Sequence, residues 1–307
     1  MELFSVIVPK SLTEEREELQ RRLMDAYNRL IHIPAGSVQL KSKSFRSFFS
    51  VQGFGVLPAF QLDLWGSDVL KATAEVLSAF MMDHIEQKLL REVISGPYHY
   101  EEPHDVQAIE RYCAQLLNQA EETEGMPKPR IRRQEKVAQA IYGYLEEHNE
   151  LNLQGLLRFR LQDYRDELRE VVEYAIDEYI MDQQYQEFIS LLKYFVYIQD
   201  AKIPVAHLMH HGGHEFTLLN EKMAPIETKE FDSFTVETLD REINFEDMIV
   251  STLISVSPQN IYIHTRDPEA QVVKTIMQIF EDRARVCTNC KGCSSVLGVS
   301  NKDSLSP

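Results

Sequence analysis

Three of the four cysteines stand close together near the end of the chain, in the sequence Cys287-Thr-Asn-Cys290-Lys-Gly-Cys293. Thiolates spaced by two residues can turn towards one ion, as they do in zinc ribbons and iron–sulfur loops. A closed site needs a fourth ligand, and Cys113, His264 or a second subunit could supply it. The spacing therefore predicts a metal centre with Cys287, Cys290 and Cys293 as ligands, holding either zinc or an iron–sulfur cluster.

The same spacing permits two other interpretations, a reversible dithiol and inert cysteines on a mobile tail. The bacterial ferredoxin pattern continues to a fourth cysteine and a proline, whereas Ser294 and Ser295 follow here. A thioredoxin-type dithiol stands at the start of a helix, and this segment has little helix-forming character. The residues alone leave the metal centre, the dithiol and the inert tail open.

A histidine group forms a second candidate site, since imidazoles are common metal ligands. Its members are His207, His210, His211 and His214, followed by Glu215. The zinc-protease signature requires a further histidine where Leu218 stands. The flanking alternation and the two glycines between these histidines are typical of a hairpin, so we expect a polar hairpin tip here.

One basic cluster could bind a phosphate group or an acidic partner. It consists of Lys128, Arg130, Arg132, Arg133 and Lys136. The residues before it include Gly125 and a proline, and charge runs between helices are usually solvated. We therefore expect an exposed loop in which these five side chains face the solvent.

The composition argues against several functional classes. A formal net charge of −16 repels phosphate backbones, so nucleic acid is not expected as a partner. The chain lacks the phosphate-binding, dinucleotide-binding, nucleophile-elbow and His-Glu-x-x-His signatures. We therefore expect a non-enzymatic protein, with an active site dispersed across the fold as the alternative.

The sequence predicts a cytoplasmic protein. Its first ten residues carry Glu2 where a signal peptide would carry positive charge. The apolar stretches 76–82 and 249–256 are much shorter than the roughly 20 residues that span a bilayer. The clustered cysteines suit a metal or redox couple better than a disulfide framework, which also favours the cytoplasm.

Hydrophobic periodicity predicts strands and helices in the first third of the chain. Residues 4–8, 38–43 and 47–51 alternate as strands do, and residues 12–31 and 68–94 have helical spacing. Further helices are predicted over 106–119, 135–147, 151–159 and 162–197. The middle of the chain is therefore predicted to be helical throughout.

The last third changes character. Residues 205–209 and 215–219 read as the two strands of a hairpin, and residues 245–256 as a helix. Strands over 260–264 and 283–287 flank a helix over 269–280, which predicts a parallel strand–helix–strand unit. The cysteine cluster would then follow the carboxyl end of a parallel strand.

These elements predict a helix-dominated α+β fold. It comprises an N-terminal strand and helix unit over 1–126, a central helical region over 127–200, and a C-terminal unit over 201–293 with a hairpin and a parallel βαβ-like unit. Residues 294–307 are small and polar, which predicts a flexible tail.

Three segments resemble one known family. They are Phe188-Ile-Ser-Leu-Leu-Lys-Tyr-Phe-Val196, Glu242-Ile-Asn-Phe-Glu-Asp247 and Pro258-Gln-Asn-Ile-Tyr-Ile-His264. On these segments the chain is similar to the sporulation protein YtxC family, from about residue 140 to Cys293. The resemblance implies a cytoplasmic protein of endospore-forming bacteria that is associated with sporulation and has no established activity, cofactor or partner.

The leading hypothesis joins the resemblance to the missing catalytic signatures. It is a non-enzymatic protein that acts in sporulation by binding another macromolecule, an unknown protein partner. The alternative is a metal, iron–sulfur or dithiol redox protein that uses Cys287, Cys290 and Cys293.

Overall fold

The computed structural model describes residues 1–118, 129–212, 215–226, 245–287 and Cys290. The chain forms two compact units, Met1–Met181 and Asp182–Pro307. Helices dominate over two mixed four-stranded sheets, which confirms the predicted α+β class. The boundaries proposed from sequence after residues 126, 200 and 293 stay predictions.

The sheet of the N-terminal unit has the strand order β2-β3-β1-β4. Its strands are β1 (Glu2–Pro9), β2 (Val38–Ser44), β3 (Phe48–Gly55) and β4 (Glu150–Asn152). β1 and β2 are antiparallel to β3, while β4 lies parallel to β1. Along β1, Phe4, Val6 and Val8 are fully buried, so the predicted alternation does place one side of the strand in the core.

Among the described residues of the N-terminal unit, six α-helices belong wholly to it. They are α1 (Arg16–Asn28), α2 (Leu62–His84), α3 (Glu86–Ser95), α4 (Pro103–Asn118), α5 (Pro129–Glu147) and α6 (Leu153–Phe159). A seventh, α7 (Gln162–Ile198), contains the boundary between the two units. The helix predicted over 68–94 is two helices, because the backbone turns at Ile85, where φ is −115°.

The start of the predicted helix over 151–159 is also different. Residues Glu150–Asn152 form β4, and the helix begins only at Leu153. The side chain of Asn152 accepts a hydrogen bond from the backbone N–H of Gly155 at 3.0 Å, which caps the helix. Leu151 is buried, so pairing with β1 and burial prevail over helical spacing at this point.

The sheet of the C-terminal unit has the strand order β6-β5-β7-β8. Its elements are β5 (Ile203–Gly212), β6 (Glu215–Asn220), α8 (Phe245–Val256), β7 (Pro258–His264), α9 (Gln271–Phe280) and β8 (Ala284–Val286). β5 and β6 form the predicted hairpin, and β7, α9 and β8 form the predicted parallel unit. β7 is also parallel to β5, so it lies between two parallel neighbours.

Two histidines lie on the face of this second sheet that is opposite its apolar cluster. Leu208, Ile261 and Ile263 are buried in an apolar cluster that includes side chains of α8 and α9. Because successive residues of a strand point to opposite faces, His207 and His264 lie on the other face. Met209 and Leu219, which stand opposite His264 and His207 in the neighbouring strands, share this face and are buried.

Within the described ranges, no helix combines the length and the apolar composition that crossing a membrane requires.

Arg133 corrects the expectation of an exposed basic loop. α5 begins at Pro129, so the cluster from Arg130 onwards is helical, while Lys128 lies outside the described residues. Arg133 is only 4% exposed and stands four residues before buried Val137, on the inner face of the helix. Arg130, Arg132 and Lys136 are exposed as expected, and the side chains of Arg130 and Lys136 also pair with carboxylates.

The guanidinium of Arg133 has two kinds of partner. It donates to the backbone carbonyl of Leu117 at 3.0 Å and to the carboxylate of Glu86 at 3.3 and 3.4 Å. The hydroxyl of Tyr164 donates to the same carboxylate at 2.8 Å. α5, α4, α3 and α7 are thus joined through one buried charge pair.

We expect Glu86→Ala to lower the free energy of unfolding of the N-terminal unit by about 3 kcal/mol, because it leaves the Arg133 guanidinium buried without its carboxylate. The fluorescence of Trp65, the single tryptophan, reports urea unfolding of this unit. The control is Glu167→Ala, which removes the more exposed pair with Lys136 and should cost less than about 1 kcal/mol. Equal losses in the two variants would contradict the role of burial.

Candidate metal centre

Parallel strand pairing brings His264 and Cys287 together. Ile263 of β7 pairs with Val286 of β8, and the next residues along the two strands are His264 and Cys287. The backbone N–H of Cys287 donates to the carbonyl of Ile263 at 2.8 Å, so the ladder continues past the end of β8. In parallel register, neighbouring residues point to the same face, and both side chains therefore lie on the face opposite the apolar cluster.

Cys290 completes a group of three potential ligands. One ligand atom each from His264, Cys287 and Cys290 lie within 4.8 Å of one another. The Sγ atom of Cys290 is 3.6 Å from Nδ1 of His264. In a tetrahedral zinc site with Zn–S near 2.3 Å and Zn–N near 2.0 Å, sulfur and nitrogen are separated by about 3.6 Å. The spacing of these two atoms therefore suits a shared ion.

The three residues differ in exposure. His264 is buried, at 3% exposed, Cys287 is partly buried, and Cys290 is exposed. An ion held here would therefore have the imidazole on the protein side and a thiolate on the solvent side. Such a gradient leaves a route by which an ion can enter.

Of the ligands predicted from sequence, the structure brings Cys287 and Cys290 together. Cys293 lies outside the described residues. Of the two fourth-ligand candidates within the chain, His264 is at the site, whereas Cys113 lies in the apolar core of the N-terminal unit. Burial raises the pKa of the Cys113 thiol to about 12, which keeps it protonated and unsuited to bind metal.

Two members of the histidine group, His207 and His210, lie within the sheet and not at the polar hairpin tip that we expected. His207 and His210 belong to β5, and His210 is only 5% exposed. The ring of His210 stacks on Phe216, and its Nδ1 atom lies 2.8 Å from Oγ1 of Thr265. His211 is the exposed member, while His214 lies outside the described residues.

His207 makes a contact that the sequence did not suggest. Its Nδ1 atom lies 3.0 Å from Nε2 of His264, and its ring stacks on Tyr262 with centroids 5.5 Å apart. The two histidines are 57 residues apart in sequence. Only the parallel pairing of β5 with β7 makes them neighbours, with His207 opposite Tyr262.

The surroundings of both imidazoles lower their pKa and so favour the neutral form. Burial lowers the pKa of His264, and the neighbouring His207 lowers it further. Burial likewise lowers the pKa of His207. A metal ion binds the neutral imidazole, so these pKa shifts leave His264 in the form that a ligand requires.

The fold and the site define a class, a helix-dominated α+β protein with a histidine at the end of one parallel strand and cysteines beyond the end of the next. The pattern that describes the YtxC-like family matches residues 71–285, which is more than half of the chain. The chain belongs to this family, which confirms the resemblance noted in its sequence. The matched range contains His207 and His264 and ends before Cys287.

A named relative supports the assignment. The chain is 24% identical over 211 residues to a protein of Bacillus subtilis (strain 168) named "Uncharacterized protein YtxC". The similarity covers 69% of this chain and 74% of the relative. No solved structure matches the chain.

The thiols should differ sharply in reactivity. After treatment with a chelator, we expect N-ethylmaleimide to modify Cys290 and Cys287 in the folded protein, because both are at least partly exposed. Cys113 should react only after unfolding, because its thiol is buried and its pKa is raised. Mass spectrometry of proteolytic peptides measures each rate, and modification of Cys113 as fast as Cys290 would contradict the packing of α4.

Proposed function

We propose that this protein binds one zinc ion in its C-terminal unit, through His264, Cys287 and Cys290. The observation that supports the proposal is the convergence of an imidazole nitrogen and two sulfur atoms within 4.8 Å. His264 belongs to β7, and the backbone hydrogen bond of Cys287 continues the ladder of β8. The backbone therefore positions two of these three ligands. Zinc commonly takes such a mixture of thiolates and imidazole.

We assign Cys293 as the fourth ligand, because it follows Cys290 in the sequence at the same spacing at which Cys290 follows Cys287. Together with His264 it makes a Cys3His set, which is one of the usual sets of closed structural zinc sites. Iron–sulfur clusters are more often held by four cysteines, so the histidine favours zinc over the cluster. A closed zinc site has no open position for a substrate, which agrees with a non-enzymatic protein.

A closed zinc site would act on folding. The ion would join the end of β7 to the residues that follow β8, and structural zinc contributes its binding free energy to the folded state. The described apolar cluster of the C-terminal unit holds fewer buried residues than that of the N-terminal unit. Zinc would therefore add cross-linking to the unit whose described core is the smaller of the two.

Zinc content tests this proposal directly. We expect about one zinc per chain in protein purified without oxygen, and its loss in the Cys287→Ser/Cys290→Ser double variant, because two of the ligands are gone. The control is Cys113→Ala, which removes a cysteine of the other unit and should keep the zinc. Elemental analysis measures zinc and iron together.

Two results would overturn the assignment to zinc. Iron with visible absorption bands that vanish in the double variant would favour the iron–sulfur alternative. Wild-type protein without metal would leave a dithiol or inert cysteines, and a thiol titration after mild oxidation would separate those two.

For the chain as a whole, we propose a non-enzymatic, cytoplasmic role in sporulation, exerted by binding to another macromolecule. Membership of the YtxC-like family supports the context. One surface of the C-terminal unit supports the binding. In residues 182–198, the part of α7 that belongs to this unit, five large apolar side chains are 46–67% exposed; we call them the α7 apolar face, and they are Phe188, Leu191, Tyr194, Phe195 and Ile198.

The partner that fits the α7 apolar face is a second copy of the chain. Phe188, Leu191, Phe195 and Ile198 are spaced by three, four and three residues, the pattern of positions at which two helices meet in a coiled coil. Residues 188–198 contain one charged residue, Lys193, in a chain of net charge −16, so two copies could meet here with little charge repulsion.

The size of the α7 apolar face agrees with a dimer. Large apolar side chains bury on the order of 150–250 Å² each, so five that are about half exposed offer on the order of 500 Å² per copy. A standard interface buries about 800 Å² per partner. The face would thus supply most of one side of such an interface.

We expect the purified protein to have twice the mass of one chain in light scattering, and Leu191→Asp to reduce it to the mass of one chain, because a charge in the apolar contact must be desolvated. The control is Gln186→Asp, which adds the same charge at an exposed position of α7 outside the face. A wild-type monomer at tens of micromolar, or a dimer that Leu191→Asp leaves intact, would contradict the assignment.

A further inference from the structure

The two ring nitrogens of His264 have different neighbours. Nδ1 lies 3.6 Å from Sγ of Cys290, on the side where the cysteines converge. Nε2 lies 3.0 Å from Nδ1 of His207. In a neutral imidazole one ring nitrogen carries the N–H and the other has a lone pair. One of these two neighbours therefore faces the N–H, and the other faces the lone pair.

The position of His207 is set by the sheet and by stacking. In the parallel pairing of β5 with β7, His207 lies opposite Tyr262, and Met209 lies opposite His264. His207 is therefore a diagonal neighbour of His264 on the same face. Its ring lies at 22° to the ring of Tyr262, and this stacking holds the plane of the imidazole.

We propose that His207 is a positioning residue for the metal centre. Its Nδ1 atom accepts a hydrogen bond from Nε2–H of His264, which leaves the lone pair of His264 Nδ1 for the ion beside Cys287 and Cys290. The inference rests on the proposed zinc site and adds to it the identity of the ligand atom and the residue that selects it.

The chemistry of metal-bound histidine supports this role. The nitrogen of a ligand histidine that does not bind the metal usually donates to an acceptor, which fixes the tautomer and the orientation of the ring. His207 fits the requirement, because its neutral imidazole can carry its proton on Nε2 and accept at Nδ1. The opposite tautomer of His264 would place N–H at the position of the ion.

The first measurement determines which nitrogen of His264 binds the ion. Long-range proton–nitrogen NMR spectra of ¹⁵N-labelled, zinc-loaded protein distinguish a protonated, a metal-bound and a free ring nitrogen, and His264→Asn assigns the signals. We expect zinc at Nδ1 and the proton at Nε2. Zinc at Nε2 would overturn the inference, since His207 would then stand next to the ion.

The second measurement is zinc affinity by competition with a chromophoric chelator. We expect His207→Ala to weaken binding by about 10–100-fold, the usual effect of losing a partner of a ligand histidine. His207→Asn should restore most of the affinity, because its side-chain oxygen lies close to the position of Nδ1. The control, His211→Ala, removes an exposed histidine of the same strand and should bind as the wild type does.

The outcomes separate the two proposals. Zinc binding in the wild type with no loss in His207→Ala would overturn the role of His207 and leave the zinc site standing. Absence of zinc binding would overturn the site, and the metal-free spectra would then decide about His207. If His264 of the metal-free wild type carries its proton on Nε2, and His207→Ala gives a mixture of tautomers, the positioning role of His207 is supported. A proton on Nδ1 of His264 in the wild type would overturn that role.

Discussion

The candidate metal centre depends on the parallel register of β5, β7 and β8. The backbone hydrogen bond from Cys287 to Ile263 continues the ladder of β8, and it sets Cys287 beside His264. Because side chains alternate between faces, a shift of β7 by one residue would move His264 into the apolar cluster. Burial of Ile261 and Ile263 opposes that shift, so the apolar core on one face specifies the position of the polar site on the other.

Burial gives the site its chemical character. His264 is buried although it lies on the face opposite the apolar cluster, and this burial lowers its pKa, which favours the neutral ring. A neutral, oriented imidazole beside two thiols is suited to a soft or borderline cation more than to a hard one such as Mg²⁺. The hydrogen bond with His207 satisfies the second nitrogen of the ring, which would otherwise be costly to bury.

The sequence predicted the elements of the site better than the contacts within it. The strand, helix and strand before the cysteines follow from local periodicity, and so does the position of Cys287 beyond a strand. His264 was one of several candidates, because its distance from the cysteines depends on a pairing that local patterns do not encode. His207 was grouped with His210 by proximity, although a spacing of three residues places the two on opposite faces of a strand. Arg133 was expected to be exposed because it is charged. Its spacing of four residues from Val137 indicates instead that it lies on the inner face of the helix.

The two units use charged and polar groups in different ways. In the described residues, the apolar cluster of the N-terminal unit has 42 buried members and that of the C-terminal unit has 16. A large core can tolerate the buried pair of Arg133 and Glu86, which costs desolvation and fixes the arrangement of four helices. A small core supplies less stabilisation, and small domains commonly compensate with a metal ion or disulfides. The difference between the described parts of the two cores therefore gives a physical reason why a cross-link by zinc would belong in the C-terminal unit, where His264 and the cysteines converge.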